Sequence, residues 1–201
     1  PWQLYHWHFE VSGKCTLKCP RCPRNDEEPV FKLNKELGLN FFKKVLSPEL
    51  LKNEVQRITM CGDIGDPIYA SQYLDIVDYI KTHNDRIHLY TITNGSYKPD
   101  TWWHSLGKVL NHNDELHWSI DGWDHDSNVQ YRVNSNWHSI MSGISAFQSS
   151  NNSTYRVWAA IAFKFNQDHI DDQRTLANQL NFDCYQLTLS TKFHSKYPEI
   201  Y

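Results

Sequence analysis

Six short runs rich in apolar and β-branched residues recur along the chain at intervals of roughly 30 residues, each followed by a stretch of helical periodicity. This alternation limits the fold more than any other feature. The runs are Trp7–Gly13, Val55–Gly62, Arg86–Gly95, Glu115–Gly122, Tyr155–Phe163 and Cys184–Thr191. Between them, helices are expected over 34–47, 71–83, 100–112, 134–149 and 168–180. Asn34 is the expected cap of the first, with Leu37, Phe41 and Val45 along one face. Runs two to six are apolar enough to be parallel strands covered by helices. The sequence thus predicts an α/β fold, a partial (βα)6 TIM-like barrel of parallel strands with outer helices. A doubly wound sheet is the alternative. In both, functional residues belong where strands run out into helices. The polar stretch Gln148–Tyr155 reads as a loop, so residues 1–201 form one domain.

Composition narrows the function. With 40% hydrophobic and 21% charged residues, the chain is neither disordered nor fibrous. A net charge of −3 gives no support to general nucleic-acid binding. No apolar run approaches the roughly 20 residues that span a bilayer, and "PWQLYHWHFEV" lacks a secretory profile. Of five cysteines, three are bunched, which argues against a disulfide framework and for a reducing, cytoplasmic setting.

Those three, Cys15, Cys19 and Cys22, follow the first strand run with C-x3-C-x2-C spacing, beside Pro20 and Pro23. Thiolates this close suit a metal centre. A structural zinc needs four ligands, the fourth drawn from Cys61, Cys184, His6 or His8. An iron–sulfur cluster normally takes four thiolates, so three leave one iron without a protein ligand.

"CTLKCPRC" after a first β-strand resembles the signature of the radical S-adenosylmethionine (SAM) enzymes. The resemblance implies a [4Fe-4S] cluster on Cys15, Cys19 and Cys22, with SAM chelating the fourth iron through its amino nitrogen and carboxylate. It further implies an enzyme: one electron cleaves the sulfonium, and the 5′-deoxyadenosyl radical abstracts hydrogen from a substrate. Leu17 stands where such enzymes often place a residue near the adenine; simple packing beside the cluster is the alternative.

Further segments extend the resemblance. "CGDIGDP" (Cys61–Pro67) is similar to the family's Gly-Gly-Glu-Pro motif, so Gly65 and Asp66 are expected at the SAM amino group. Asp66 is a methylene shorter than the usual glutamate. Gly62 and Gly65 permit close backbone approach, and Pro67 fixes the turn. "TNG" suggests Asn94 as a contact, although Asn-Gly also suits an ordinary turn. "SIDG" suggests Ser119 and Asp121, the latter toward the ribose. "YRVNSNWHSI" suggests Arg132 for the SAM carboxylate, whose geometry a guanidinium matches. "AAIAFKFNQD" suggests Ile161 and Asn166, and the sixth run Leu189 near the adenine. Cys61 and Cys184 are extra ligands, reactive thiols or, as is commoner for single cysteines, buried and inert.

The resemblance leaves the substrate open. It implies a peptide or protein, or a small molecule as in the 7-carboxy-7-deazaguanine synthases; "SIDG…YR" leans to the peptide. A non-catalytic zinc module is the reading from another class. Lys14, Lys18, Arg21 and Arg24 flank the cysteines and form either a solvated loop face or a landing patch for flavodoxin or ferredoxin. Trp7, Trp118, Trp123 and Trp158 line a barrel mouth or fill the core. No auxiliary cluster is expected: the chain, read as a monomer, is either a minimal core or a core whose C-terminal extension is absent.

Overall fold

A computed structural model of the chain describes residues 5–25, 35–63, 65–150 and 153–190. Among these residues six strands, β1 (His6–Phe9), β2 (Arg57–Met60), β3 (His88–Thr93), β4 (Glu115–Ser119), β5 (Tyr155–Ala162) and β6 (Cys184–Leu189), form one sheet. Their order is β1-β2-β3-β4-β5-β6, and every neighbouring pair is parallel. A doubly wound sheet reverses its strand order at a switch point. Here no reversal occurs, so the architecture is a barrel's winding left open, the expected partial TIM-like barrel.

Among the described residues seven α-helices accompany the strands: α1 (Leu39–Val45), α2 (Pro48–Asn53), α3 (Tyr73–His83), α4 (Asp100–Val109), α5 (His125–Asn128), α6 (Trp137–Gln148) and α7 (Ile170–Gln179). The expected first helix is two. Ser47 leaves the helical backbone conformation, its Oγ accepts from the Leu50 N–H at 3.2 Å, and Pro48 begins α2. The buried residue of α1 is Phe42, at 4.9 Å from the Phe9 ring, with Leu46 just beyond. Phe41 is exposed, and Leu37 and Val45 only fringe the core, because β1 fixes which face of so short a helix turns inward. Asn34 lies outside the described residues.

Period-two alternation sorts the two faces of the sheet. Ile58 and Met60 of β2, Leu89 of β3, Leu116 and Trp118 of β4, and Trp158 and Ala160 of β5 join the buried core beneath the helices. Trp118 and Trp158 are fully buried there, and Trp7 packs at its margin, stacked on Phe9 at 5.8 Å. These tryptophans fill the core; Trp123 lies outside it, stacked on His169 at 3.9 Å. The alternating residues Thr59, Tyr90, His117 and Ser119 belong to the opposite, concave face.

The end of the barrel away from the cysteines is fastened by a buried ion pair, Lys81 Nζ to Asp114 at 2.5 Å. Asp114 also accepts from the Leu89 and Asn111 N–H groups, at 3.0 and 2.8 Å. Lys81 donates to the Ile87 carbonyl at 2.7 Å. Each charge is thus satisfied by more than its partner, the condition for a buried pair to be tolerated.

Candidate active site

The loop after β1 is held from several sides. Gly13 N–H donates to Lys35 O at 2.8 Å and Leu37 N–H to Val11 O at 2.8 Å, while Ser12 bridges Glu36. Lys18 N–H donates to Val133 O at 2.9 Å, and Asn134 Nδ2 to Thr16 O at 2.7 Å. Arg24 folds back to donate to the Cys15 carbonyl at 3.0 Å. Its guanidinium therefore staples the loop, and Lys14 is paired with Glu36 at 2.8 Å. Of the four expected landing-patch cations, Lys18 is exposed and Lys14, Arg21 and Arg24 are half-buried. Two of the four charges thus close the loop.

Cys15, Cys19 and Cys22 line one cavity of about 540 Å3 at the C-terminal ends of the strands. Cys22 N–H donates to Cys19 O at 3.0 Å, a tight turn that brings the last two thiols to the same side. All five cysteines are free thiols. Burial, followed by the nearby Asp66 charge, pushes the Cys15 thiol up to about 12. Burial also raises Cys19. Leu17, Cys19, Tyr131 and Phe163 form a small apolar cluster of their own, which packs the loop against β5.

Gly65, Asp66, Asn94, Ser119, Arg132 and Ile161 line the same cavity as the cysteines. At Gly65 a Cβ would fall 1.8 Å from the Ser12 carbonyl oxygen, so the turn after β2 can lie against the cysteine loop only with glycine there. Gly95 has φ of +73°, and a Cβ there would fall 2.7 Å from the Trp118 ring. Asp66 is buried and crowded with donors. It accepts from Thr93 Oγ1 at 2.9 Å, Asn94 N–H at 2.7 Å, Asn94 Nδ2 at 2.6 Å and Ile68 N–H at 3.2 Å. Burial nonetheless raises its carboxyl to about 6, with these hydrogen bonds pulling the other way. Asp66 thus joins the β2 turn to the end of β3 and aims Asn94, whose Nδ2 also lies 3.5 Å from Cys15 Sγ.

Three expected contacts lie elsewhere. Asp121 is fully buried and does not line the cavity. Its Oδ2 accepts from Arg132 Nε at 2.6 Å and its Oδ1 from Ile161 N–H at 2.7 Å. Both carboxylate oxygens are engaged inside the protein, and Asp121 positions Arg132. Asn166 is likewise buried: its Oδ1 accepts from Phe163 N–H at 2.7 Å, and its Nδ2 donates to the carbonyls of Asp121 and Ile161 at 2.8 and 2.9 Å. It is a brace between β4 and β5. Leu189 is 74% exposed on the edge strand and away from the cavity wall. Sequence reading missed Ile92, Asp63 and Tyr131, which do line it. Ile92 stands two residues before Asn94, so strand alternation could have found it; Tyr131 directly precedes Arg132.

A parallel half-barrel with three thiols and a glycine-rich turn at its strand ends defines the class. No family model matches the chain, and no curated protein matches it. Solved structures do. SuiB of Streptococcus suis, bound to its precursor peptide SuiA, superposes with TM-score 0.70 at 15% identity over 94% of this chain and 39% of that one. The enzyme anSMEcpe with bound AdoMet gives 0.71 at 14% identity over 98% and 55%. Methylornithine synthase PylB gives 0.61 at 14% identity over 92% and 53%. These are radical SAM enzymes, and the chain has their fold. It spans well under two thirds of the length of each.

Proposed function

We propose that the chain is a radical SAM enzyme core, holding a [4Fe-4S] cluster on Cys15, Cys19 and Cys22 and SAM in the adjoining cavity. One observation carries this: three thiols from one loop and the ends of four parallel strands or their turns meet around a single cavity. The donor set fits. Three soft thiols, with no further cysteine or histidine among the described residues of that cavity's wall, suit a cluster with one open iron better than a four-ligand zinc. Of the expected fourth ligands, Cys61 lies 2.8 Å from His8 and His6 lies 2.8 Å from Thr59, and none of the four is among the described residues lining that cavity.

When bound, the cluster and SAM supply one-electron cleavage of the sulfonium and a 5′-deoxyadenosyl radical that abstracts hydrogen. The chain supplies position and dryness. Leu17, Ile92, Tyr131 and Ile161 give apolar walls for an adenosyl group. Asn94 and Ser119 offer polar contacts. Arg132, with Nε committed to Asp121 and a hydrogen bond to Cys19, keeps donor capacity for a carboxylate. The adjacent turn at Gly65 offers backbone to an amino group.

For the substrate we favour a peptide or protein. SuiB and anSMEcpe, whose structures include complexes with the SuiA and Cp18Cys peptides, superpose better than methylornithine synthase. Flavodoxin or ferredoxin is the proposed electron donor, docking over the loop that carries Lys18. Anaerobic iron and sulfide analysis of reconstituted protein tests the reading. About four irons and four sulfides per chain, with a colour that dithionite bleaches, are expected; one zinc and no colour would overturn it.

A further inference from the structure

Beside the cysteine loop, on the concave face, a second set of ligand-type side chains converges. His8 belongs to β1 and Glu10 follows it; Cys61 and Asp63 follow β2. Each pair is spaced by two residues, so both members of a pair project to the same side of the sheet. Phe9 is in register with Met60, which places Glu10 next to Cys61 one step further along. Two adjacent parallel strand ends therefore present a two-by-two array of imidazole, thiol and two carboxylates.

The array is drawn together. One ligand atom from each residue lies within 4.8 Å of every other. Cys61 Sγ is 2.8 Å from His8 Nε2, and His8 Nε2 is 3.6 Å from Glu10 Oε1. Glu10 Oε1 also accepts from the Asp63 N–H at 3.0 Å, tying the β1 exit to the β2 turn. Tetrahedral zinc with bonds of about 2.0–2.3 Å sets its ligand atoms about 3.3–3.7 Å apart. No pair of these atoms exceeds that spacing by more than about an ångström.

We propose that His8, Glu10, Cys61 and Asp63 form a mononuclear site for a zinc-class divalent transition metal, separate from the three-cysteine loop. The thiol and imidazole select against magnesium and calcium, which take oxygen ligands. With the thiol deprotonated, the four ligands carry three negative charges, which a dication largely offsets. All four coordination positions come from this chain, so the site is a structural one. Its place says what it fastens. Asp63 lines the 540 Å3 cavity, and the turn it begins carries Gly65 and Asp66. The metal clamps the exits of β1 and β2 and so fixes that turn. None of this depends on what the three cysteines hold.

Cobalt(II) is the probe, because thiolate and tetrahedral coordination both give it distinctive absorption. In a chelator-stripped Cys15→Ala/Cys19→Ala/Cys22→Ala variant, shown folded by circular dichroism, one Co2+ per chain is expected to bind with a thiolate charge-transfer band. Zn2+ should displace it and raise the melting temperature. Adding Cys61→Ser should remove that band, and adding His8→Ala should weaken binding at least about tenfold. If the triple variant does not fold, the stripped wild-type chain and its Cys61→Ser variant are compared, and the wild type should bind one more equivalent. No stoichiometric Co2+ in the folded triple variant, a band that survives Cys61→Ser, or, in that second comparison, equal stoichiometry would overturn the proposal.

Discussion

Replacing Asp121 with asparagine should unsettle the wall of the cavity from behind. Asp121 is completely buried, and the Arg132 side chain paired with it at 2.6 Å is only 16% exposed. Asparagine keeps the shape and can still accept from Ile161 N–H, but it removes the charge that faces the guanidinium. Removing one partner of a buried pair costs about 3–5 kcal/mol, because the other charge stays behind. Partial solvent access to Arg132 puts the loss at the lower end, about 3 kcal/mol. For a domain of this size that lowers the melting temperature by roughly 6–12 °C. Urea unfolding of the apo-protein, followed by far-ultraviolet circular dichroism, measures it. Arg132→Met and the double variant complete a cycle whose coupling energy should reach about 1.5–3 kcal/mol. Folded Asp121→Asn protein should still load iron on its intact cysteines while binding SAM more weakly. Single-variant losses that add within about 0.5 kcal/mol would refute the positioning role.

Asp66 gives a pH dependence of definite sign. Its carboxyl is raised from 3.8 to about 6, chiefly by burial, so between those values the folded apo-protein binds more protons than the unfolded chain. This group therefore makes stability fall as pH rises from about 4 to about 6, by up to about 3 kcal/mol. Asp66→Asn should flatten that part of the urea-midpoint profile, and an unchanged slope would contradict the assignment. Gly65→Ala should separate the β2 turn from Ser12 and lower SAM affinity at least about tenfold, a loss above roughly 1.4 kcal/mol, measured by equilibrium binding; wild-type affinity would show that the turn yields freely. Lys81→Met, at the far end of the barrel, should cost about 3 kcal/mol or more in urea unfolding while leaving iron content unaltered in the folded fraction. A stability loss under about 1 kcal/mol would mean that Asp114 is satisfied without it.

Much of this was legible in the sequence. The six strand runs were found because buried parallel strands need β-branched and apolar residues, although β1 ends at Phe9 and the run continues as loop. The cysteine loop and the turn at Gly65 stood out by residue type and spacing, and the structure brings both to one cavity. The four-residue α5 was not, since a capping box of Asp124 and Ser127, not apolar periodicity, defines it. Nor were the tasks of Asp121 and Asn166. A polar residue at a strand end reads as a ligand contact until the tertiary fold shows which way it turns, and here both turn inward to join β4 and β5. Alternation gave the strand of Leu189, but nothing local shows that, among the described residues, β6 pairs with β5 alone.

The most direct measurement is anaerobic incubation of the reconstituted chain with SAM and dithionite, followed by chromatography for 5′-deoxyadenosine. The account predicts that 5′-deoxyadenosine and methionine form together, and that Cys19→Ala forms neither and holds no cluster. Intact SAM in the presence of a fully loaded cluster, or product formation that survives Cys19→Ala, would contradict it.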